Sequence, residues 1–281
     1  MVLNRGHIAT EQRHSNTTDL DALSTQACVE LLATDHLDAV AAVQKSSADI
    51  ATFIDEVVKR NGRLIYIGCG TSGRLGVLDA AECPPTFQAD AEKFIGIIAG
   101  GDASLRTSSE AKEDVFEGAH EELNKLDLTE QDVVLGIAAG GTTPWVHGGL
   151  SFAKSKGAFT GFLTCANVQC DCDLTIHLET GPEPLTGSTR LKAGTATKLT
   201  LNIISTTYFT RIGKVYGNYM IDLKATNDKL MDRGIRIIEA LCNVSRDEAR
   251  ILLMDSGKDV KTAIVMHRKS VSKEEAMNLI D

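Results

Sequence analysis

The chain has no apolar stretch long enough to cross a membrane, and residues 1–21 lack the apolar core of a secretory signal. It also lacks an excess of basic residues. Its 29 Lys and Arg face 38 Asp and Glu, giving a formal net charge of −9 over 281 residues. A nucleic-acid partner would favour a basic surface. These absences predict a cytoplasmic protein with neither a membrane nor a nucleic acid as partner.

The sequence also lacks the usual patterns of metal-dependent and nucleophilic hydrolases. Its seven histidines show no His-x-x-Glu-His type spacing, and there is no Gly-x-Ser-x-Gly elbow. The seven cysteines form no paired Cys-x-x-Cys framework. We therefore interpret Cys165, Cys170 and Cys172 as reduced thiols, and not, together with His177, as zinc ligands. No metal is predicted, and hydrolase chemistry has little support.

What the sequence does contain, from residue 61 onwards, is an alternation of apolar runs and helical patterns. The predicted strands are 64–67, 93–99, 132–139, 159–164 and 174–178, and the predicted helices between and after them are 74–81, 103–126, 144–156 and 188–212. Most of these strands are continuous apolar runs, which is typical of a parallel sheet covered on both faces. We predict an α/β fold, a three-layer α-β-α sandwich with a five-stranded parallel sheet.

The predicted sandwich occupies residues 61–225. Residues 1–60 are expected to form a polar arm, up to residue 16, and two helices at 21–32 and 35–60. Residues 226–281 are helical throughout, and Ser245 with Glu248 fits a capping box. We expect this last part to be a small helical appendage.

Three loops rich in glycine and hydroxyl groups follow predicted strands, at the sheet edge where open α/β folds bind ligands. Small residues, hydroxyls and helix N-termini together favour an anion. The candidate ligand-binding residues are Gly70, Thr71 and Ser72 in the first loop, Gly141, Thr142 and Thr143 in the second, and Ser188, Thr189, Arg190 and Lys192 in the third. The three loops together predict a binding site for a phosphorylated small molecule.

Each loop alone is equally consistent with ordinary turn and cap chemistry. The first also matches the dinucleotide fingerprint, as Gly68-x-Gly70-x-x-Gly73. That fingerprint requires an acidic residue at the tip of the second strand, where this chain offers only Asp102 further along. The insertion of Thr71 and Ser72 in the first loop favours a monophosphate over a pyrophosphate.

Two sets of carboxylates are acid–base candidates. Glu82 ends the first predicted helix before a break at Pro84 and Pro85, and an acidic cluster, Glu110, Glu113, Asp114 and Glu117, follows on the next helix. Positioned carboxylates can remove a proton and protonate a leaving group. Most acidic residues on a helix instead form a solvated face, and spacing alone does not choose among these.

The segment Gly68-x-Gly-Thr-Ser-Gly-Arg-Leu-Gly-Val-Leu-Asp-Ala-x-Glu-Cys-Pro-Pro-Thr-Phe87 resembles the signature of the N-acetylmuramic acid 6-phosphate etherases, which belong to the sugar isomerase (SIS) domain group. The resemblance continues through Gly187-Ser-Thr-Arg-Leu-Lys-Ala-Gly-Thr195 and Gly213-Lys-Val-Tyr-Gly-Asn218 and covers nearly the whole chain.

The resemblance implies a cytoplasmic lyase of peptidoglycan recycling. It would cleave the lactyl ether of N-acetylmuramic acid 6-phosphate by eliminating D-lactate from the open-chain sugar and then adding water. It further implies that Glu82 and Glu113 are catalytic. We assign Glu82 to protonating the departing ether oxygen and later activating water, and Glu113 to abstracting the proton at C2. A metal-free, cofactor-free homodimer with sites near the subunit interface is expected.

One loop departs from the family pattern. Where the family usually has Ala-Ala-Ser-Gly-Arg-Thr-Pro-Tyr, residues 138–145 have Gly140 in place of Ser, Thr142 in place of Arg and Trp145 in place of Tyr. Each lost contact could cost roughly 1–3 kcal/mol of binding if buried. Either the other loops hold the phosphate or the substrate differs. A sugar-phosphate-binding regulator and an aldose–ketose isomerase of the same fold are the alternatives.

Overall fold

The computed structural model describes residues 5–107 and 112–280. The chain divides into two compact units, Met1–Glu82 with Ala91–Tyr208, and Cys83–Asp90 with Phe209–Asp281. The first unit contains a five-stranded parallel sheet in the order β2-β1-β3-β4-β5, which confirms the predicted fold class. The strands are β1 (Leu64–Gly68), β2 (Phe94–Ile98), β3 (Val133–Ile137), β4 (Phe159–Thr164) and β5 (Leu174–His177).

Helices cover both faces of this sheet. They are α1 (Thr25–Asp35), α2 (Leu37–Lys45), α3 (Ser47–Arg60), α4 (Gly70–Phe87), α5 (Ala103–Arg106), α6 (His120–Lys125), α7 (Pro144–Ser155) and α8 (Lys192–Arg211). Successive residues of β1 point to opposite layers because side chains alternate along a strand. Ile67 packs in one cluster with Leu150 of α7, whereas the hydroxyl of Tyr66 donates to Asp79 of α4 over 3.1 Å. The sheet is thereby the middle layer of a sandwich.

The prediction of one continuous helix over residues 103–126 is wrong. The described part of this segment contains α5, a 3-10 helix at Phe116–Ala119 and α6. Its middle is shaped by contacts with α7: the carbonyl of Glu113 accepts the amide hydrogen of Trp145 over 3.1 Å. A Cβ on Gly118 would lie 2.5 Å from Cδ1 of the Trp145 ring, so only glycine allows this approach. Glu110 lies outside the described residues.

The break expected at Pro84 and Pro85 is also wrong, because α4 continues through both prolines to Phe87. A proline inside a helix removes a backbone hydrogen bond, at a cost of about 3 kcal/mol. The helix ends soon afterwards, at Gln88 in a left-handed conformation with φ 48°. Phe87 is buried and stacks on Phe209 with ring centroids 4.4 Å apart. Burial of this ring favours the last helical turn in spite of the prolines.

The N-terminal segment is not the free arm that the sequence suggests. From residue 5 onwards it is folded, with 3-10 helices at Ala9–Glu11 and Leu20–Ala22. Ile8 and Thr10 are buried, and the hydroxyl of Thr17 donates to the carbonyl of Pro184 over 2.9 Å. The predicted helix 35–60 is divided at Ser46 into α2 and α3.

The second unit has its own apolar core, which includes Ile238, Leu253 and Val260. Its elements are the hairpin strands β6 (Val215–Tyr216) and β7 (Tyr219–Met220) and the helices α9 (Asp228–Cys242), α10 (Arg246–Asp255), α11 (Val260–Lys269) and α12 (Lys273–Ile280). The hairpin was not predicted. The capping box of Ser245 and Glu248 is confirmed. The division of the chain at residues 60 and 225 stays a prediction.

None of the helices within residues 5–107 and 112–280 combines the length and the apolar character needed to span a bilayer.

Candidate active site

A cavity of about 570 Å³ lies where β1 and β3 end, at the sheet edge expected for ligands. The three predicted loops all contribute to its wall. Of the predicted site residues, those lining the cavity are Gly70, Thr71, Ser72, Glu113, Thr143, Ser188, Thr189 and Arg190. The three loops thus line one cavity.

The first loop leads directly from β1 into α4. Gly70 begins this helix with a left-handed φ of 52°, which glycine adopts without strain. Gly73 approaches the strand so closely that a Cβ would lie 2.5 Å from the carbonyl oxygen of Gly68. This tight turn directs the start of α4, with Thr71 and Ser72, into the cavity. The positive end of the helix dipole therefore faces any bound anion.

The second loop is a turn in front of α7. Gly141 has a φ of 76°; its amide donates to the carbonyl of Ala138 over 2.9 Å, and its carbonyl accepts a ring N–H of His147 over 2.7 Å. Gly140 and Thr143 line the cavity, whereas Gly141 and Thr142 do not. Gly141 packs against Val168, whose Cγ2 would be 2.3 Å from an added Cβ. These two predicted residues shape the turn but do not line the cavity.

The third loop and the start of α8 lie next to the first loop. A Cβ on Gly194 would lie 3.5 Å from the methyl carbon of Thr71, which shows how closely the two loops approach. The predicted helix start at residue 188 is too early, because α8 begins at Lys192. Ser188 and Thr189 therefore lie in the turn before the helix and line the cavity with Arg190.

Glu113 is the carboxylate that the structure brings to the first loop. Its Oε1 is 3.4 Å from the position that a Cβ on Gly70 would take. Burial and the negative charge of Glu113 raise the pKa of the neighbouring Cys69 thiol to about 12. Cys69 consequently stays a neutral thiol at neutral pH, and the Glu113 carboxylate lies beside it in this corner of the cavity.

Lys192 is not part of the cavity wall, contrary to the prediction for it. Its side chain is 1% exposed, and its ammonium lies 3.0 Å from Oδ1 of Asp35 and 3.2 Å from Oδ2 of Asp38. The ring of His14 also contacts Asp35, at 3.0 Å. The charge of Lys192 is used in this buried ion cluster.

The start of α8 carries a second buried carboxylate. Glu183 accepts the backbone N–H groups of Lys192 and Ala193, each over 2.9 Å. Burial raises the pKa of Glu183 although both amides favour its ionised form. Glu183 thus caps the helix that follows the third loop.

Glu82 does not line the cavity either. It is exposed on α4, which begins at Gly70. At the α-helical rise, the step from position 70 to position 82 corresponds to about 18 Å along the helix axis. Within one copy of the chain, Glu82 and Glu113 are therefore not brought together.

Two charged residues of the cavity wall, Arg5 and Arg74, were missed from the sequence, whereas Asp114, which also lines the cavity, was among the acid–base candidates. Arg74 lies within the first motif, and its Nε donates to the carbonyl of Leu105 over 3.0 Å. Its guanidinium could have been proposed from its place in the first helical turn. Arg5 reaches the cavity because the N-terminal segment folds beside the third loop, where Oε2 of Glu11 lies 3.3 Å from the position that a Cβ on Gly187 would take. No local sequence pattern predicts that arrangement.

Among the described residues, no group of three or more His, Cys, Asp or Glu side chains is arranged to hold a metal ion.

The sheet with its three loops has the SIS type of α/β fold. Residues 48–154 match the family model of the glucokinase regulatory protein N-terminal SIS domain, and residues 217–278 match that of the C-terminal lid domain of the same protein. A protein of E. coli CFT073, solved as a ligand complex, has a TM-score of 0.52 at 16% identity, covering 70% of this chain and 97% of its own. That similarity supports the fold alone.

Curated relatives are far more similar. The N-acetylmuramic acid 6-phosphate etherase of Crocosphaera subtropica is 50% identical over 100% of this chain and 94% of its own length. That of Trichodesmium erythraeum is also 50% identical, over 96% of this chain and 90% of its own. The chain belongs to the N-acetylmuramic acid 6-phosphate etherase family.

Proposed function

We propose that this protein is a lyase that cleaves the lactyl ether of N-acetylmuramic acid 6-phosphate, giving N-acetylglucosamine 6-phosphate and D-lactate. The observation that supports it most directly is the position of the Glu113 carboxylate beside Gly70, within a cavity whose wall is built for an anion. Relatives of this name at 50% identity over nearly the full chain give independent support. The proposed setting is cytoplasmic recycling of peptidoglycan.

The chemistry follows from the open-chain form of the sugar. Its C1 aldehyde makes the C2–H bond acidic, so Glu113 can take that proton as a general base. The C3–O bond then breaks, and lactate leaves with its ether oxygen protonated by an acid. Addition of water across the resulting C2–C3 double bond gives the product sugar. The sum is one water consumed and one lactate released, with no change of oxidation state.

The phosphate is assigned to the three loops. Thr71, Ser72, Thr143 and Ser188 supply hydroxyl donors, and the start of α4 supplies the favourable end of a helix dipole. Arg74 and Arg190 add positive charge to the same wall. This arrangement can bind the phosphate although the second loop lacks the family's Ser and Arg.

The placement of Glu82 suggests how a second copy would complete the site. If Glu82 supplies the proton to the ether oxygen, it must come from another subunit, since it lies outside the cavity of its own. We therefore propose a homodimer in which Glu82 of one copy serves the cavity of the other. This assignment and the dimer both rest on the family resemblance and on the exposure of Glu82.

Mixing inactive variants tests the shared site. E82Q and E113Q are each expected to be inactive as pure proteins. Refolded together in equal amounts, they should recover about a quarter of wild-type activity, because half the dimers are mixed and each mixed dimer has one intact site. Mixtures that stay inactive would show that both glutamates are needed within one chain.

The reaction itself is tested by incubating the protein with N-acetylmuramic acid 6-phosphate and assaying D-lactate with a D-lactate dehydrogenase. Stoichiometric release of lactate and N-acetylglucosamine 6-phosphate is expected. Intact substrate after prolonged incubation would contradict the lyase.

A sugar-phosphate-binding regulator is the second candidate, favoured by the two matches to domains of the glucokinase regulatory protein. The same incubation separates the two. Calorimetric binding of the sugar phosphate without any lactate release would favour the regulator.

A further inference from the structure

The cavity of about 570 Å³ has one cation in its wall that none of the three loops supplies. Arg74 lies near the start of α4 and Arg190 in the third loop, whereas Arg5 belongs to the N-terminal segment. Arg5 is exposed, and no carboxylate within residues 5–107 and 112–280 forms an ion pair with its guanidinium. Its charge is therefore available to a ligand in the cavity.

The segment that carries Arg5 is packed onto the first unit. The carbonyl of Arg5 accepts the amide hydrogen of Ile8 over 2.9 Å, and both Ile8 and Thr10 are buried. Further along, the hydroxyl of Thr17 donates to the carbonyl of Pro184 over 2.9 Å, just before the third loop. A packed segment loses less conformational freedom when its ligand binds than a loose one does. The fold therefore holds the backbone of Arg5 beside the cavity before a ligand arrives.

The formal charges of the cavity wall show what Arg5 adds. Arg74 and Arg190 contribute two positive charges, and Glu113 and Asp114 contribute two negative ones, so that these four side chains cancel. Arg5 gives the wall a surplus of one positive charge. The phosphate of a ligand is already assigned to the hydroxyls of the loops and to the start of α4. The surplus consequently fits a ligand that carries a second anionic group besides its phosphate.

We propose that Arg5 binds the lactyl carboxylate of the substrate and thereby makes the site selective for N-acetylmuramic acid 6-phosphate over its product. The substrate carries two anionic groups, the phosphate on C6 and the carboxylate of the lactyl group on C3. Because they are attached to different carbons, each needs its own donors. A guanidinium can donate two parallel hydrogen bonds to a carboxylate. Arg5 is the cation from outside the phosphate-binding loops, and it therefore takes the carboxylate.

The role of Arg5 rests on the proposed function for the identity of the ligand, and it adds how substrate and product are distinguished. N-acetylglucosamine 6-phosphate has the phosphate of the substrate but a hydroxyl in place of the lactyl ether. A residue that binds the phosphate contributes equally to the affinity for both sugars. A residue that binds the lactyl carboxylate contributes to the affinity for the substrate alone, so the two ligands separate these roles.

The test measures the affinities of both sugar phosphates by calorimetry on the full chain, with E113Q as the background so that the substrate stays intact. R5M should weaken binding of N-acetylmuramic acid 6-phosphate by roughly 10- to 100-fold, the effect of losing charge-assisted hydrogen bonds. Binding of N-acetylglucosamine 6-phosphate should stay nearly unchanged. R5K keeps the charge without the paired donors and should recover part of the loss. R13M is the matched control, because Arg13 lies in the same segment but donates to the carbonyl of Thr18 over 3.2 Å.

Because the readout is affinity and not turnover, the role of Arg5 and the lyase reaction can fail separately. Equal weakening of both ligands in R5M would assign Arg5 to the phosphate and overturn the proposal, as would unchanged affinity for the substrate. Either result could occur in a protein whose wild type releases lactate. Selective weakening of the substrate, in a protein whose wild type releases no lactate, would support the carboxylate contact and contradict the lyase. A urea midpoint of R5M equal to that of R13M confirms that the comparison is made on folded protein.

Discussion

Ser188 and Lys192 are close neighbours in sequence, yet their side chains have different surroundings. Ser188 borders the cavity, whereas Lys192 is buried against Asp35 and Asp38. Both are polar residues in the same family motif. The comparison shows that one motif can supply both a cavity-lining residue and an internal ion pair, and that burial and partners distinguish the two. Variants of the cavity should change catalysis, and variants of the buried ion cluster should change stability.

The largest effect is expected for E113Q. Removing the carboxylate beside Gly70 eliminates the proposed base, and general-base catalysis is worth roughly 10²- to 10⁴-fold in rate. The turnover of lactate release should fall by that factor while the urea midpoint stays close to that of the wild type. E117Q, at an exposed position of the nearby 3-10 helix, is the control. Lactate release by E113Q within a few-fold of wild type would contradict the assignment.

The second-largest effect is expected in the buried ion cluster of Lys192. K192M keeps the length of the side chain but leaves the buried carboxylate of Asp35 without its ammonium partner. Breaking a buried pair typically costs about 3–5 kcal/mol in unfolding free energy. Equilibrium urea unfolding should show this loss. K45M removes an exposed pair with Glu179 and should change stability by no more than about 0.5 kcal/mol. Equal losses of unfolding free energy in K192M and K45M would show that the buried ion pair contributes no more to stability than the exposed one.

Asp79 allows the comparison of buried and exposed charged groups to be tested through the pH dependence of stability. Burial raises its pKa from 3.8 to about 6, although Ser205 and Tyr66 donate hydrogen bonds that favour the ionised form. Between pH 4 and 6 the folded protein therefore holds a proton that the unfolded chain releases, and stability falls as pH rises through this window. Relative to D79N, whose side chain does not titrate, the wild type should lose roughly 2 kcal/mol from pH 4 to pH 7.

Urea unfolding at a series of pH values measures this difference. D55N, at an exposed position of α3, should run parallel to the wild type. A wild-type curve parallel to D79N between pH 4 and 7 would show that Asp79 is ionised across the range.

The smallest effect is expected at Gly140, the position where the family usually has Ser. A Cβ there would meet nothing within 4 Å, and Gly140 lines the cavity. A hydroxyl at this position can add one hydrogen bond to a bound phosphate, worth about 0.5–1.5 kcal/mol. G140S should lower KM by roughly 2- to 10-fold with little change in urea midpoint. A raised KM would mean that the phosphate is not bound beside this turn.

The sequence predicted the sheet well because its strands are short continuous apolar runs separated by clear turn residues. It also identified the three loops, since their glycines and hydroxyls occur at strand ends. The role of Lys192 was hidden, because Asp35 and Asp38 come from helices far away in sequence. The broken helix near Glu113 depends on the packing of Gly118 against Trp145, which no periodicity reveals. The contribution of Arg5 likewise requires the folded N-terminal segment.

The carboxylate of Glu183 has a consequence for how the cavity accommodates charge. It occupies the first amides of α8, so the positive pole of that helix is already neutralised from within the protein. A phosphate placed there would meet a second negative group. The start of α4, in contrast, opens into the cavity with Thr71 and Ser72. Of two helices that begin at the same cavity, one is capped from within the protein and the other is open to solvent, so a bound phosphate would be directed to the start of α4.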